Sequence, residues 1–299
     1  MIFSARDVPV AVRGFAGRDD AWATWVDDLP RTVRDLLAEW ELLLDGDPMH
    51  GHTSLVLPVT SAGAPAVLKI AGPDDRGGHE ILALQTWHGR GAVGLRRGDP
   101  RRRAMVLERL HRDDLTTTPV LEACEIVAGL YGRLHVPAPS QLVPLTQLVA
   151  GWSDDLERLP RGAPLPRRIV EHAIHLGRSF VTDPASTGRL VHTDLHYENV
   201  LAATRDPWVA IDPKPVSGDP HYEIAPLLWN RWPEVVGSGN VRTAVRRRFH
   251  TVVDAAGLDE DRARDWVIVR EAHQAMWAIE DGDRDELTAA IAITKAVQD

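Results

Sequence analysis

Apolar residues along this chain of 299 positions change their spacing twice, and each change marks a different kind of element. Over residues 18–41 they recur at helical intervals, Trp22, Trp25, Val26 and Leu29 and then Val33, Leu36, Leu37 and Trp40. That spacing predicts a helix with one apolar face, interrupted where Pro30 removes a backbone donor. After Trp40 the runs shorten to 41–45, 53–60 and 66–70, separated by Gly-Asp-Pro and Ser-Ala-Gly-Ala-Pro, which predicts an antiparallel meander. The Gly- and Asp-rich stretch 71–78 reads as a mobile loop leading into a helix over 79–88. Two more strands, 93–96 and 104–107, are expected around a turn at 97–100. From Val120 onward helical spacing returns in 120–134, 142–149, 152–159, 167–180, 226–232, 241–256, 262–279 and 285–297. The chain therefore divides near residue 110 into a small sheet-containing part, 1–110, and a larger, mostly helical part, 111–299, an α+β pattern with two lobes.

One stretch of the helical part breaks its own rhythm. Residues 190–212 read LVHTDLHYENVLAATRDPWVAID, in which two apolar segments, 199–203 and 208–211, flank the turn signal Thr204-Arg205-Asp206-Pro207. A β-hairpin is expected. His192, Asp194, His196 and Asn199 gather at one outer end and Asp212 at the other. A short hairpin brings its outer ends together, so Asn199 and Asp212 become neighbours, with Asp194 on the loop just before them. Phosphoryl transfer uses such a set: an Asp that orients the attacking hydroxyl and accepts its proton, with an Asn and an Asp that hold the Mg²⁺ bridging the nucleotide phosphates.

Of the 34 basic residues only Lys69, Lys214 and Lys295 are lysines, so Arg serves wherever a surface cation is wanted. A Lys inside the apolar run Val67-Leu68-Lys69-Ile70 suits a compact charge for phosphate; the alternative is a side chain snorkelling from an edge strand. Upstream, Met49-His50-Gly51-His52-Thr53-Ser54 contains one Gly. The N–H groups around Gly51 and the hydroxyls of Thr53 and Ser54 can contact phosphate oxygens, and an ordinary hairpin turn explains the segment equally well. Glu80, in the first turn of its helix, either pairs with Lys69 or simply sits at the favourable end of the helix dipole.

The pattern H-x-D-x-x-x-x-N followed by an apolar strand ending in Asp resembles the catalytic core of the protein-kinase-like fold. The wording HTDLHYENVLAA with WVAIDPKPVSGDP is similar to the aminoglycoside and hydroxyurea antibiotic-resistance kinases, and the similarity runs from TSLVLPV to WAIEDG. The resemblance implies a two-lobed protein-kinase-like fold, with a small β-sheet-containing N-lobe and a larger, mostly helical C-lobe. The implied reaction moves the γ-phosphoryl group of ATP, with Mg²⁺, to a hydroxyl of a small antibiotic-like molecule. It makes Asp194 the catalytic base and Asn199 and Asp212 the metal ligands. Lys69, steered by Glu80, would hold the phosphates beside Gly51, Thr53 and Ser54, and the backbone edge from Glu108 to Leu110 would meet the adenine. The segment after Asp212 is short, as in those kinases, which leaves little platform for a peptide. Glu223 stands where the wider family often has an Asp after an aromatic residue, and it is a candidate acceptor contact. Trp277, Glu280 and Asp281 are further candidates at a helix end: Trp277 and Glu280 share a face, and aromatic rings with carboxylates suit a guanidinium. Their alternative reading is a core Trp with an exposed Glu.

Two rival functions come from other classes. His192-x-Asp194-x-His196 is also a metal-ligand spacing, which suggests a metallohydrolase but gives Asn199 and Asp212 no role. A nucleotide-binding module without turnover is the other, against which the complete Lys, Asp, Asn and Asp set argues. A net charge of −9 discourages nucleic-acid and anionic-membrane partners and favours a cationic one. The single Cys124 excludes an internal disulfide and, in an apolar helical pattern, reads as a buried thiol. No basic start followed by an apolar run is seen, and no stretch reaches the ~20 apolar residues of a membrane span. The expectation is a cytoplasmic monomer or homodimer acting on a cationic small molecule, with Arg246-Arg247-Arg248 on a solvated face and His196 as a structural loop residue.

Overall fold

The computed structural model describes residues 3–73 and 78–298; residues 74–77 of the expected loop lie outside them. The chain forms two compact units, Met1–His111 and Arg112–Asp299.

In the first unit α1 (Val10–Gly14) precedes α2 (Asp20–Glu39). Asp19 caps α2 by accepting from the N–H groups of Ala21 and Trp22 at 2.8 and 3.0 Å. The helix runs unbroken through Pro30, which corrects the expected interruption. An internal Pro costs roughly 3 kcal/mol. Burial of Leu29, Val33 and Leu36 around it stabilises by roughly 1.5–3 kcal/mol per side chain, so packing wins.

The strands β1 (Leu42–Leu44), β2 (Met49–His50), β3 (Ser54–Ser61), β4 (Ala64–Ala71), β5 (Leu95–Asp99) and β6 (Ala104–Glu108) make one antiparallel sheet. Its order is β1-β3-β4-β6-β5, with β2 also on β3. β5 continues through Arg97 and Gly98, where a turn was expected, by shifting register between Leu95 and Arg97. Leu55, Leu57 and Val59 of β3 with Ala66, Leu68 and Ile70 of β4 are buried in one core with Leu29, Val33 and Leu36 of α2. Strand side chains alternate between faces, so Lys69, between Leu68 and Ile70, leaves the sheet on the side away from that core. α3 (Glu80–Trp87) follows β4.

The second unit is built from α4 (Val120–Leu134), α5 (Leu145–Arg158), α6 (Arg167–Thr182), α7 (Ala225–Trp229), α8 (Trp232–Gly237), α9 (Val241–Ala256), α10 (Glu260–Asp281) and α11 (Arg284–Gln298). Two small antiparallel pairs are set among them, β7 (Arg189–Val191) with β10 (Val216–Gly218) and β8 (Val200–Ala202) with β9 (Trp208–Ala210). The two helices expected over 142–159 are the single α5, which carries an exposed Gly151 without breaking. The helix expected over 226–232 is instead split, because Asn230 is extended and Arg231 is left-handed at φ 53°. Arg248 is not on a solvated face: it is buried, and its Nη1 donates to the carbonyls of Leu227, Leu228 and Asn230 at the end of α7. Those carbonyls would otherwise be unsatisfied helix-end acceptors.

Phe180 of α6 stacks on Trp266 of α10 at 4.0 Å, within a core that includes Val191 and Val216 of β7 and β10. Asp219 ties β10 to α10, accepting from Trp266 Nε1 at 2.7 Å and from Arg262 Nε at 2.5 Å. Cys124 is free and buried, and burial pushes its thiol pKa up, as for an inert core residue. Among the described residues no helix is long and apolar enough to cross a membrane.

Candidate active site

Lys69 Nζ donates to both carboxylate oxygens of Glu80, at 2.7 and 2.9 Å, and the two residues are 7% and 2% exposed. β4 lies between β3 and β6, so Lys69 does not snorkel from an edge strand. Burial of both charges likewise decides for the pairing over a solvated Glu80 at a helix start. Removing one partner of such a pair strands the other charge, a loss of roughly 3–5 kcal/mol.

The turn between β2 and β3 is held from outside. Gly51 N–H donates to the Ser54 carbonyl at 3.1 Å, so that donor closes the hairpin and is not open to a phosphate as expected. Arg18 Nη2 donates to the His52 carbonyl at 2.9 Å, and Gly72 N–H donates to the Thr53 carbonyl at 2.7 Å. Arg18 itself lies 4.2 Å from the Phe15 ring and 4.3 Å from the Trp22 ring. Across a planar trans peptide the next N–H points opposite to the carbonyl, so Thr53 N–H is turned away from Arg18. Ser54 is 3% exposed, which leaves Thr53 as the more open hydroxyl of the turn. Glu108 ends β6 with its side chain committed: Oε1 accepts from Gly94 N–H at 2.7 Å. Leu110 lies past the strand end and is half-buried.

In the second unit the loop between β7 and β8 carries the residues for which the sequence predicts chemistry. Thr193 has φ 63°, a costly conformation for a β-branched residue, and three contacts over-determine it. Its N–H donates to Glu223 Oε1 at 2.5 Å and its Oγ1 to the Lys214 carbonyl at 2.6 Å. Its carbonyl accepts from Arg270 Nη2 at 2.5 Å. Glu223 is 1% exposed, and its second oxygen meets His135 Nε2 at 3.0 Å. Glu223 is therefore a clamp on the loop and not an acceptor contact, a correction to the sequence-based expectation. Its pKa is lowered despite the burial that opposes ionisation, because His135, His192 and Thr193 N–H stabilise the carboxylate.

His192 is fully buried, and burial lowers its pKa. Its Nε2–H donates to the Ile211 carbonyl at 2.9 Å and its Nδ1 accepts from Asp194 N–H at 3.3 Å. With both nitrogens engaged it is no metal ligand, and among the described residues no group of three or more His, Cys, Asp and Glu is placed to hold a metal. The metallohydrolase reading falls.

Asp194 keeps a third of its side chain exposed (33%), open to a reactant. Ile211 N–H donates to the Asn199 carbonyl at 2.9 Å, joining the outer ends of the β8–β9 hairpin as the spacing predicted. Asn199 Nδ2 donates to the Asp194 carbonyl at 2.8 Å and lies 3.1 Å from His196 Nε2, so its amide nitrogen is engaged and its oxygen is the atom that could face a metal ion. Asp212 is left-handed at φ 55° and 24% exposed, with Lys214 Nζ 3.4 Å from Oδ1. The Asp212 carboxylate and the Asn199 amide oxygen are hard oxygen donors of the kind that would suit Mg²⁺. His196 is fixed in turn: Nδ1 meets Glu198 Oε2 at 2.7 Å, and Asn230 Nδ2 donates to the same oxygen at 2.9 Å. The His196 hydrogen bond pulls Glu198 down to about 2.

Trp277 is half-buried, with its ring edge-on to Trp152 at 6.4 Å and tilted against His273 at 4.0 Å. Glu280 and Asp281 are exposed in the last turn of α10, which holds no basic residue. Carboxylates there oppose the helix dipole by roughly 0.3–1 kcal/mol each, so helix stability does not explain them. Thr193, Lys214, Glu198, Asn230 and Arg270 escaped sequence reasoning. Lys214 left a trace, as one of three lysines and two positions after Asp212. Arg270 and Asn230 left none.

A part-exposed carboxylate, an Asn and an Asp joined by a hairpin, with a separate buried Lys–Glu pair in the sheet-bearing unit, are the residue set of a kinase-like phosphotransferase. The fold agrees: an aminoglycoside phosphotransferase solved with ADP and hygromycin B superposes with a TM-score of 0.57 at 15% identity, covering 89% of this chain and 97% of that one. The aminoglycoside/hydroxyurea antibiotic resistance kinase family matches residues 39–282, and the chain belongs to it. Streptomycin 6-kinase of Streptomyces glaucescens is 40% identical over 285 residues, 92% of this chain and 91% of the relative. Hydroxyurea phosphotransferase of Kitasatospora aureofaciens is 37% identical over 288 residues, 93% of this chain and 79% of the relative. The protein is an antibiotic-resistance phosphotransferase with an alcohol group as acceptor.

Proposed function

We propose that the protein transfers the γ-phosphoryl group of ATP to a hydroxyl of streptomycin or a related cationic aminoglycoside, with Mg²⁺, in the cytoplasm, as a monomer or homodimer. The observation that carries this reading is Asp194, a carboxylate one-third exposed on a loop held by Thr193 on one side and by His196 on the other. Asp194 orients the acceptor hydroxyl and takes its proton. Asn199 and Asp212 hold Mg²⁺, which supplies charge neutralisation at the phosphates. Lys69, aimed by Glu80, holds phosphate oxygens, with Thr53 N–H as a second donor, and the backbone from Glu108 to Leu110 meets the base. Positioning supplies most of the rate, because a loose transition state asks little covalent help.

The cationic acceptor is supported by Trp277, Glu280 and Asp281 and by the net charge of −9. Hydroxyurea is the second reading, favoured by the 37% identical relative that phosphorylates it. Both candidates carry a flat N–C–N unit, guanidino in streptomycin and urea in hydroxyurea. An ADP-release assay with streptomycin, other aminoglycosides and hydroxyurea tests the proposal. Streptomycin is expected to give the highest kcat/KM, and faster turnover of uncharged hydroxyurea would remove the cationic acceptor.

A further inference from the structure

Two buried side chains of α10 hold polar atoms without a hydrogen-bond partner among the described residues: both ring nitrogens of His273 and both carboxylate oxygens of Glu271. Native interiors leave few polar groups unpaired, and each such group asks for an explanation. For His273 the surroundings supply one. It is 3% exposed and lies between two indoles, Trp152 of α5 at 4.2 Å and nearly parallel, and Trp277 at 4.0 Å. Both indoles are only half-buried. Burial, with the nearby Arg270 charge, pushes the imidazole pKa down to about 3, so the ring stays neutral and offers one donor and one acceptor.

The stack is continuous with the reaction site. Trp152 lies nearly parallel to Tyr222 at 6.1 Å, and the Arg270 guanidinium sits 4.4 Å from the Tyr222 ring. Arg270 holds the carbonyl of Thr193, the residue before Asp194. At its other end the stack meets Glu280 and Asp281, three and four positions beyond Trp277 and so on the same helix face. One strip of aromatic faces thus leads from the catalytic carboxylate to two exposed carboxylates.

We propose that Trp152, His273 and Trp277 form the specificity subsite for the acceptor, receiving a flat N–C–N group of the guanidino or urea class against the exposed parts of the two half-buried indoles and hydrogen-bonding it through His273. Indole faces favour flat cations and amide-like planes, and a neutral imidazole can donate to one and accept from the other. The proposal deepens the acceptor reading above and rests on it.

The test compares His273→Phe, which keeps the ring and its stacking but removes both nitrogens, with His273→Asn, which keeps a donor and an acceptor. At saturating ATP, His273→Phe should raise KM for streptomycin about ten-fold, the scale of one lost hydrogen bond, with kcat and the KM for ATP nearly unchanged. His273→Asn should restore most of the affinity. A merely structural histidine predicts the reverse pattern, an unchanged streptomycin KM and a higher Tm for His273→Phe, and that result overturns the proposal. Failure of the acceptor reading looks different, because wild-type protein then releases no ADP with streptomycin. In that case, or if His273→Phe does not fold, methylguanidine and methylurea are titrated into wild-type protein while the His273 imidazole NMR signals, assigned by their loss in His273→Asn, are followed. Shifted signals support the subsite; unmoved signals overturn it.

Discussion

Glu271→Gln should make the protein more stable at alkaline pH and leave it unchanged in acid. The carboxyl is 1% exposed on α10, has no hydrogen-bond partner among the described residues, and feels the charges of Arg270 and Glu286. Burial pushes its pKa from 4.5 up to about 8. Between those values the folded protein keeps a proton that the unfolded chain releases, so stability is fully present below 4.5 and falls as pH rises towards 8. The slope is ~1.4 kcal/mol per pH unit, which amounts to roughly 4 kcal/mol between about pH 5 and pH 8. At about 2–4 °C per kcal/mol for a unit of this size, the Tm difference between variant and wild type should grow by on the order of 10 °C over that range. Scanning both proteins side by side at the two pH values cancels every other titrating group. A Tm difference equal at both pH values would refute the picture of a neutral, unpartnered carboxyl.

Other outcomes follow from the two units separately. Glu80→Ala should destabilise the first unit by roughly 3–5 kcal/mol, because the Lys69 ammonium is left buried without its counter-charge, and saturating ATP should restore part of the loss; denaturant unfolding that matches wild type would contradict the buried pair. Asp212→Ala should raise the Mg²⁺ concentration needed for half-maximal turnover and weaken ATP binding in its presence, which calorimetry with and without Mg²⁺ checks; equal Mg²⁺ dependence would take Asp212 out of the metal site.

What could be read from the sequence was local. The hairpin over 190–212 formed as expected, because its turn signal and apolar segments lie next to one another in the chain. The helices Val120–Leu134 and Val241–Ala256 have the predicted ends, since each carries an uninterrupted apolar stripe. Misreadings arose where distant contacts override local preference. Pro30 stays inside α2 because the sheet buries the residues around it. The break between α7 and α8 depends on a left-handed Arg231, which composition does not announce. The sequence offers Glu223 as an acceptor contact and Arg248 as a solvated charge, and only the fold brings them to backbone groups that need a partner. Gly51 is open to both a phosphate-binding turn and an ordinary hairpin, because a turn closing on itself and a turn open to an anion have the same sequence, and its hydrogen bond to Ser54 decides for the hairpin.

The sharpest test of phosphoryl transfer at Asp194 is the transfer of labelled phosphate from ATP to streptomycin by wild-type protein and by Asp194→Asn, both shown to be folded and to bind ATP. Wild-type protein should label the acceptor, and the variant should bind ATP within a few-fold of wild type while losing at least ~100-fold in turnover, the scale of a positioned general base. Turnover by the variant close to that of wild type would contradict the assignment of Asp194 as the base.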